Sequence, residues 1–455
     1  MTPPDLRIRR LGSQRPRGRW LLATLIAGAV TLLAVELLSV LVYPQISDES
    51  YSRSRLQKSL MERASAAAQP DAGAAIGESA FIPEHALHPY VGFSLNPSAD
   101  PEINAFGFYG ESPVVERDPS RVNAVLLGGS VAREFYQLAG ERLATLLAEI
   151  PRYRGREIHL VCLAVDGFKQ PQSLLALTFA LYLGAEYDVV VNLDGFNEVV
   201  LPVTDNLPNR VFPHYPRAWN LYADKGLSPT RIALVAELMS IRERQHASSR
   251  RFSNPLLRSS NFALIVWENL DRRYELEAQR VYFALVDRAR LGNPDAPHGP
   301  APDPTQPPRE TSRDAADRWA QASLQMRDLA EANGARYFHF LQPNQYVAGS
   351  KVFSEEEKRF ADVDAYLGQH FPYHPSVRNY KPAAQMGYPL LIERGAALRQ
   401  RGVNFVDLTG IFAGVRETIY RDACCHYNQT GNEIIAERMA REIARVDAKS
   451  ASRPR

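Results

Sequence analysis

The sequence predicts an α/β fold built on a mostly parallel five-stranded sheet, preceded by one apolar helix. Three observations point there: short apolar runs recur along the chain, stretches with helical apolar spacing separate them, and a 23-residue apolar segment stands ahead of both. A short apolar run bounded by turn residues reads as a buried strand. Strands that alternate with amphipathic helices call for parallel βαβ units and a helix-covered sheet.

The first element is the apolar helix. Arg7, Arg9, Arg10, Arg15, Arg17 and Arg19 precede Leu21 to Tyr43, whose only ionisable groups are Glu36 and Tyr43. That length crosses a bilayer as a helix. A signal peptide would have a shorter apolar region and a small-residue cleavage site, whereas this segment ends LSVLVYP, so it reads as a retained anchor. The arginines keep residues 1–20 in the cytoplasm and put the chain from Pro44 onward on the extracytoplasmic, periplasmic side. Glu36 is costly in lipid unless it meets an interface or a partner, and its place near the far end of the span favours the interface.

Residues 44–80 read as a juxtamembrane helix and linker, and a globular domain is expected over 81–455. Strands are expected at 124–128, 158–165, 187–193, 335–341 and 404–408, and helices at 136–149, 171–183, 314–332, 388–401 and 431–446. An insertion at about 202–313 interrupts the series, with helices expected at 231–244 and 266–288. The proline-rich tract NPDAPHGPAPDPTQPPRE at 293–310 reads as a surface excursion without regular structure. With 45% hydrophobic and 23% charged residues the chain is ordinary globular protein, and a net charge of +2 gives no basis for a nucleic-acid partner.

In an open parallel sheet, functional groups gather beyond the carboxyl ends of the strands. The first exit carries Gly128, Gly129 and Ser130, where the serine reads either as a helix N-cap or as an exposed nucleophile. The second carries Asp166 and Gly167, and the third carries Asp194, Gly195, Phe196, Asn197 and Glu198. The fourth ends in Gln342, Pro343 and Asn344, which either line a cleft or cap the strand. After the fifth come Asp422 and His426, just before the last helix. A serine becomes a nucleophile when a histidine held by a carboxylate takes its proton. The oxyanion that forms needs fixed donors, which Gly167 and Asn197 can supply.

These residues, in this order, resemble the SGNH (GDSL-type) hydrolase family over about 120–446, with the insertion interrupting the match. GGS at 128–130 stands at the family's nucleophile block, where Asp is better known before the serine. Gly167 matches the oxyanion glycine, and Gly195 to Glu198 match Gly-x-Asn-Asp with Glu in the last place. Asp422 and His426 match Asp-x-x-His with one residue more between them, a spacing that still shares a face if the segment is helical. The resemblance implies a three-layer, flavodoxin-like α/β/α sandwich. It makes Ser130 the nucleophile, His426 the base and Asp422 the acid that orients it, with Ser130 N–H, Gly167 N–H and Asn197 as the oxyanion hole.

No metal or organic cofactor is implied. The expected substrate is an acyl or acetyl ester on an envelope carbohydrate or lipid. An O-acyltransferase acting on an exported polysaccharide, beside an acyl-donating membrane protein, would use the same residues. A non-catalytic carbohydrate-binding relative would keep the fold alone.

Cys162, Cys424 and Cys425 are the only cysteines. One bridge from Cys162 to either of the others, three free thiols, or a zinc site with His426 are the alternatives, and adjacent cysteines rarely bridge each other.

Overall fold

A computed structural model describes residues 17–47, 50–66, 85–219, 229–291, 306–361 and 379–451. In chain order the elements are α1 (Arg17–Ile46), α2 (Arg53–Ala66), β1 (His85–His88), β2 (Gly92–Leu95), β3 (Arg121–Gly128), α3 (Ser130–Ala148), β4 (Glu157–Cys162), α4 (Gln172–Tyr182), β5 (Val189–Asp194) and α5 (Phe196–Leu201). They continue as α6 (Pro229–Phe252), α7 (Asn261–Leu291), α8 (Pro308–Ala332), β6 (Arg336–Leu341), α9 (Glu355–Ala361), α10 (Tyr380–Gln400), β7 (Asn404–Asp407) and α11 (Gln429–Ala451). Two compact units result. One joins residues 1–69 with 240–277, and the other joins 70–239 with 278–455. The insertion expected at 202–313 is therefore divided, its middle belonging with the N-terminal segment.

In the larger unit β3 to β7 form one parallel sheet in the order β4-β3-β5-β6-β7. Counting these strands along the chain, the order is 2-1-3-4-5, so the connections reverse direction at β3. The carboxyl ends of β3 and β5 therefore flank the crevice where such sheets bind ligands. Residues Val189 to Asp194 of β5 are all buried, as a strand covered on both faces must be. α3 packs on α11 and on β3 and β4, while α8 and α10 pack on each other and on β6 and β7. β1 and β2 form a separate antiparallel hairpin.

Element boundaries moved for local reasons. α3 begins at Ser130 instead of 136, because Val131, Phe135, Ala139, Leu143 and Leu147, every fourth residue, already form its buried face. β4 stops at Cys162 although the apolar run continues to Val165. The chain still tracks β3 there, through Leu163 N–H to the Leu126 carbonyl at 2.8 Å. α10 starts eight residues before its expected first residue and passes through Pro389, since Tyr380, Ala383 and Ala384 add a buried turn ahead of it. α8 takes in residues 308–310 of the proline-rich tract, with Pro308 at its first position, where a missing N–H costs nothing. The expected linker beyond Ala66 and most of that tract lie outside the described residues.

In the smaller unit α1 is the one helix among the described residues long and apolar enough to cross a membrane, over Ile26–Gln45. Its apolar side chains at Ile26, Val30, Leu32, Leu33, Leu37, Leu38 and Leu41 are exposed. The far end is different. Tyr43 is buried with Leu56, Leu60, Leu264, Ile265 and Trp267. Glu36, which needs an interface or a partner, accepts from Asn261 N–H at 2.6 Å and from the Ser260 hydroxyl. Its carboxylate thereby caps the start of α7, where free N–H groups favour negative charge.

Candidate active site

The two glycines that close β3 are there for space. Gly128 has φ +146°, and a Cβ on it would come within 2.1 Å of the Leu193 carbonyl oxygen. A Cβ on Gly129 would lie 2.3 Å from Asn197 Nδ2. Only glycine lets the turn pass so close to β5 and α5. Gly129 is the N-cap of α3, which corrects the alternative that gave this place to Ser130. Ser130 is the first helical residue, so its hydroxyl does not stand at the capping position.

That hydroxyl meets His426 instead. Ser130 Oγ lies 2.8 Å from His426 Nε2, and His426 Nδ1 lies 2.5 Å from Asp422 Oδ2. The extra residue between acid and histidine is absorbed by a turn, not a helix as the sharing of a face presumed. Tyr420 and Tyr427 pair across the loop, and Arg421 N–H donates to the His426 carbonyl at 3.0 Å. Asp422 Oδ1 accepts from the N–H groups of Cys424, Cys425 and His426 at 2.8, 3.0 and 3.4 Å. One carboxylate oxygen thus organises the turn while the other holds the imidazole.

The exit of β6 supports this loop from outside. Asn344 Nδ2 donates to the Cys424 carbonyl at 3.2 Å, Gln345 Nε2 to the Asp422 carbonyl at 3.0 Å, and the Tyr346 hydroxyl to the Ala423 carbonyl. Asn344 neither lines a cleft nor merely caps its strand. Gln345 and Tyr346 carry no sequence signal of this role, because nothing local marks a residue whose partner lies 77 positions away.

The expected oxyanion donors are Asn197, beside the glycine turn, and the N–H groups of Gly167 and Ser130. Asn197 Nδ2 gives one hydrogen to the Phe168 carbonyl at 2.8 Å, which orients the amide beside the glycine turn and leaves its second hydrogen for a ligand. Gly167 has φ +77°. Among the described residues, neither Gly167 N–H nor Ser130 N–H donates to a protein acceptor. Glu198, which stands where Asp is usual, accepts Gly195 N–H at 2.8 Å, so its carboxylate satisfies a free donor at the start of α5.

Beneath these loops lies a polar network that the sequence alone did not reveal. Asp194 is buried and accepts from His339 Nε2 at 2.8 Å, Trp319 Nε1 at 2.7 Å, Asn192 Nδ2 at 2.7 Å and Gln170 Nε2 at 3.2 Å. His339 Nδ1 in turn lies 2.7 Å from Ser323 Oγ. This repeats the order serine, histidine, aspartate, but all three are buried, so it serves to hold the loops after β4 and β5. Lys169 is buried as well, donating to the carbonyls of Pro213 and Tyr215 at 2.7 and 2.5 Å. Burial pushes its pKa down to about 7, against the pull of Glu198 and Asp205.

Charge in the chain of three is set by the same competition. Burial works against the charged form of both His426 and Asp422, and the short bond between them outweighs it: the histidine is raised above its ordinary value and the aspartate lowered. An imidazole bonded to a carboxylate on one side and a hydroxyl on the other can take that hydroxyl's proton.

The cysteines are free among the described residues, which agrees with the free-thiol alternative, and Cys162 Sγ lies 3.9 Å from the Ala164 carbonyl. Cys424, Cys425 and His426 bring their donor atoms within 4.8 Å of one another and, among the described residues, are a group that could hold a metal ion. Both ring nitrogens of His426 are already engaged by Asp422 and Ser130, however, so a metal there would have to displace one of them. No protein-family model matches this chain, and no curated protein matches it.

Proposed function

We propose that this chain is a membrane-anchored serine esterase of SGNH type, acting on an acyl or acetyl ester of an envelope carbohydrate or lipid. One observation carries the reading: the unbroken hydrogen-bonded chain from Asp422 through His426 to Ser130, at 2.5 and 2.8 Å, with Ser130 N–H and Gly167 N–H without an acceptor among the described residues. The sheet order 2-1-3-4-5 supports a three-layer, flavodoxin-like sandwich around it. The arginine-flanked helix α1 supports an anchor with the catalytic unit on the extracytoplasmic side.

In this mechanism Ser130 Oγ attacks the ester carbonyl as His426 Nε2 takes its proton. Asp422 holds the Nδ1–H and stabilises the imidazolium that forms. Ser130 N–H, Gly167 N–H and the second hydrogen of Asn197 Nδ2 receive the charge that develops on the carbonyl oxygen. His426 returns the proton to the leaving alcohol, leaving an acyl-enzyme on Ser130. A water activated by the same histidine then releases the acid.

The test is to incubate the full-length protein in detergent with an activated acetyl ester, with and without oligosaccharide acceptors. Acetate release that disappears in Ser130→Ala, together with a serine-directed phosphonate that labels Ser130 alone, supports the reading. Full activity in the variant, or labelling elsewhere, overturns it. Transfer of the acetyl group to an oligosaccharide in preference to water would make the protein an acyltransferase.

A further inference from the structure

We propose that Cys424 and Cys425 are a redox modification site that closes into a vicinal disulfide inside the loop carrying Asp422 and His426. Their sulfur atoms already touch, at 2.7 Å. Cys425 is buried and Cys424 half-buried, so one sulfur is held by the core while the other admits a reagent. Cys162 is engaged elsewhere at the end of β4, which leaves each of the pair as the other's thiol partner. The pairing of Tyr420 with Tyr427 and the bonds from Asn344, Gln345 and Tyr346 hold the loop ends in place, so the ring can close without unfolding its frame.

The oxidant is an external disulfide such as oxidised glutathione. The thiolate of Cys424 attacks one sulfur of the donor, forming a mixed disulfide and releasing the first thiol. The Cys425 sulfur then displaces the second, forming the Cys424–Cys425 bond. Two electrons pass to the donor disulfide, and the two cysteine protons end on the two released thiols.

Closure has a mechanical consequence. Adjacent Cα atoms stand about 3.8 Å apart across a trans peptide, short of the roughly 4.4 Å at which ordinary disulfides begin. The peptide between the two cysteines must therefore twist, and its N–H is the one that Cys425 donates to Asp422 Oδ1 at 3.0 Å. The ring removes one of the bonds that aim the carboxylate at His426, and its strain makes it easily reduced again. Closure of the ring stands on the cysteines alone, whereas its effect on turnover rests on the proposed role of Asp422 and His426.

The experiment equilibrates the full-length protein in detergent with reduced and oxidised glutathione at several ratios, then alkylates it under denaturing conditions. The tryptic peptide from Asp422 to Arg438 carries both cysteines. Under oxidising ratios it should be unalkylated and lighter by two hydrogens, and dithiothreitol should restore double alkylation. Double alkylation at every ratio, glutathione held on Cys424 alone, or a link to the Cys162 peptide would each overturn the site. Where the ring forms, kcat for an activated ester should fall about tenfold at constant KM, the effect of losing one hydrogen bond to a charged group. Cys424→Ser, which cannot close the ring, should turn over normally and ignore the oxidant. A closed ring with unchanged kcat would overturn the switch. Absence of ester hydrolysis at every ratio would instead count against the esterase, since the alkylation result does not depend on activity.

Discussion

Replacing Asp422 by Asn separates a working acid from a merely structural one. Asp422 Oδ1 anchors three N–H groups of its own turn, and an amide oxygen, with two lone pairs, can keep the two shorter of these bonds, so the loop should hold its shape. The change falls on the other atom. Where Oδ2 now accepts from His426 Nδ1 at 2.5 Å, an NH2 group would donate, forcing the imidazole proton onto Nε2. Nε2 then faces Ser130 Oγ as a donor and cannot take its proton. The corresponding tautomer error in serine proteases costs about 10⁴ in kcat, or about 5.4 kcal/mol of barrier at 1.36 kcal/mol per decade. Steady-state hydrolysis of an activated acetyl ester measures it, with thermal melting as the check that folding is intact.

The pH profile supplies a second readout. His426 works as a base only when neutral, and Asp422 raises its pKa. The acid limb of kcat/KM should therefore lie above about 6.5, the ordinary histidine value, with activity lost as pH falls through it. In Asp422→Asn the limb should move down. A loss under about tenfold beside an inactive His426→Ala, with the limb unmoved, would refute the assignment and leave a Ser-His pair leaning on backbone.

Neighbouring residues carry further expected outcomes. Asn197→Ala should lower kcat by about 10²–10³ with little change in KM, as for loss of one oxyanion donor, and a rise in KM alone would mark Asn197 as a ground-state binder. Gly129→Ala puts a methyl 2.3 Å from Asn197 Nδ2, so it should reproduce much of that loss without touching a reacting group; wild-type kinetics would show that the close approach is not needed. Leu143→Ala, in the buried face of α3, should cost about 2–5 kcal/mol in denaturant unfolding. Protease added to spheroplasts should degrade the globular part of the chain, and protection there, or release of a protein beginning after residue 43, would contradict the anchor and its orientation.

By itself the sequence determined the sheet and the stations along it. Runs such as Ala124 to Gly128 are local signals, because burial on both faces demands continuous apolar residues and a turn demands glycine. Ser130, Gly167, Asn197 and His426 were legible for the same reason, each standing just past a strand or just before a helix. The start of α3 was misread at 136, although the four-residue spacing from Val131 to Leu147 that places it at Ser130 is itself a local signal.

Tertiary structure alone decided whether Asp422 could reach His426. The four-residue spacing would share a face in a helix, but the segment is not helical, and what bends it into a turn that still brings the two side chains together is the pairing of Tyr420 with Tyr427 and the side chains of Asn344, Gln345 and Tyr346, supplied from the end of another strand. Glu36 gives the same lesson, its carboxylate finding Ser260 and Asn261 more than two hundred residues away. So does Asp194, whose four donors come from β5 itself, the loop after β4, α8 and β6. Apolar periodicity is written in neighbouring residues, since burial acts on every residue of an element. A hydrogen bond needs two particular atoms at one distance and angle, and only the folded chain brings those atoms together.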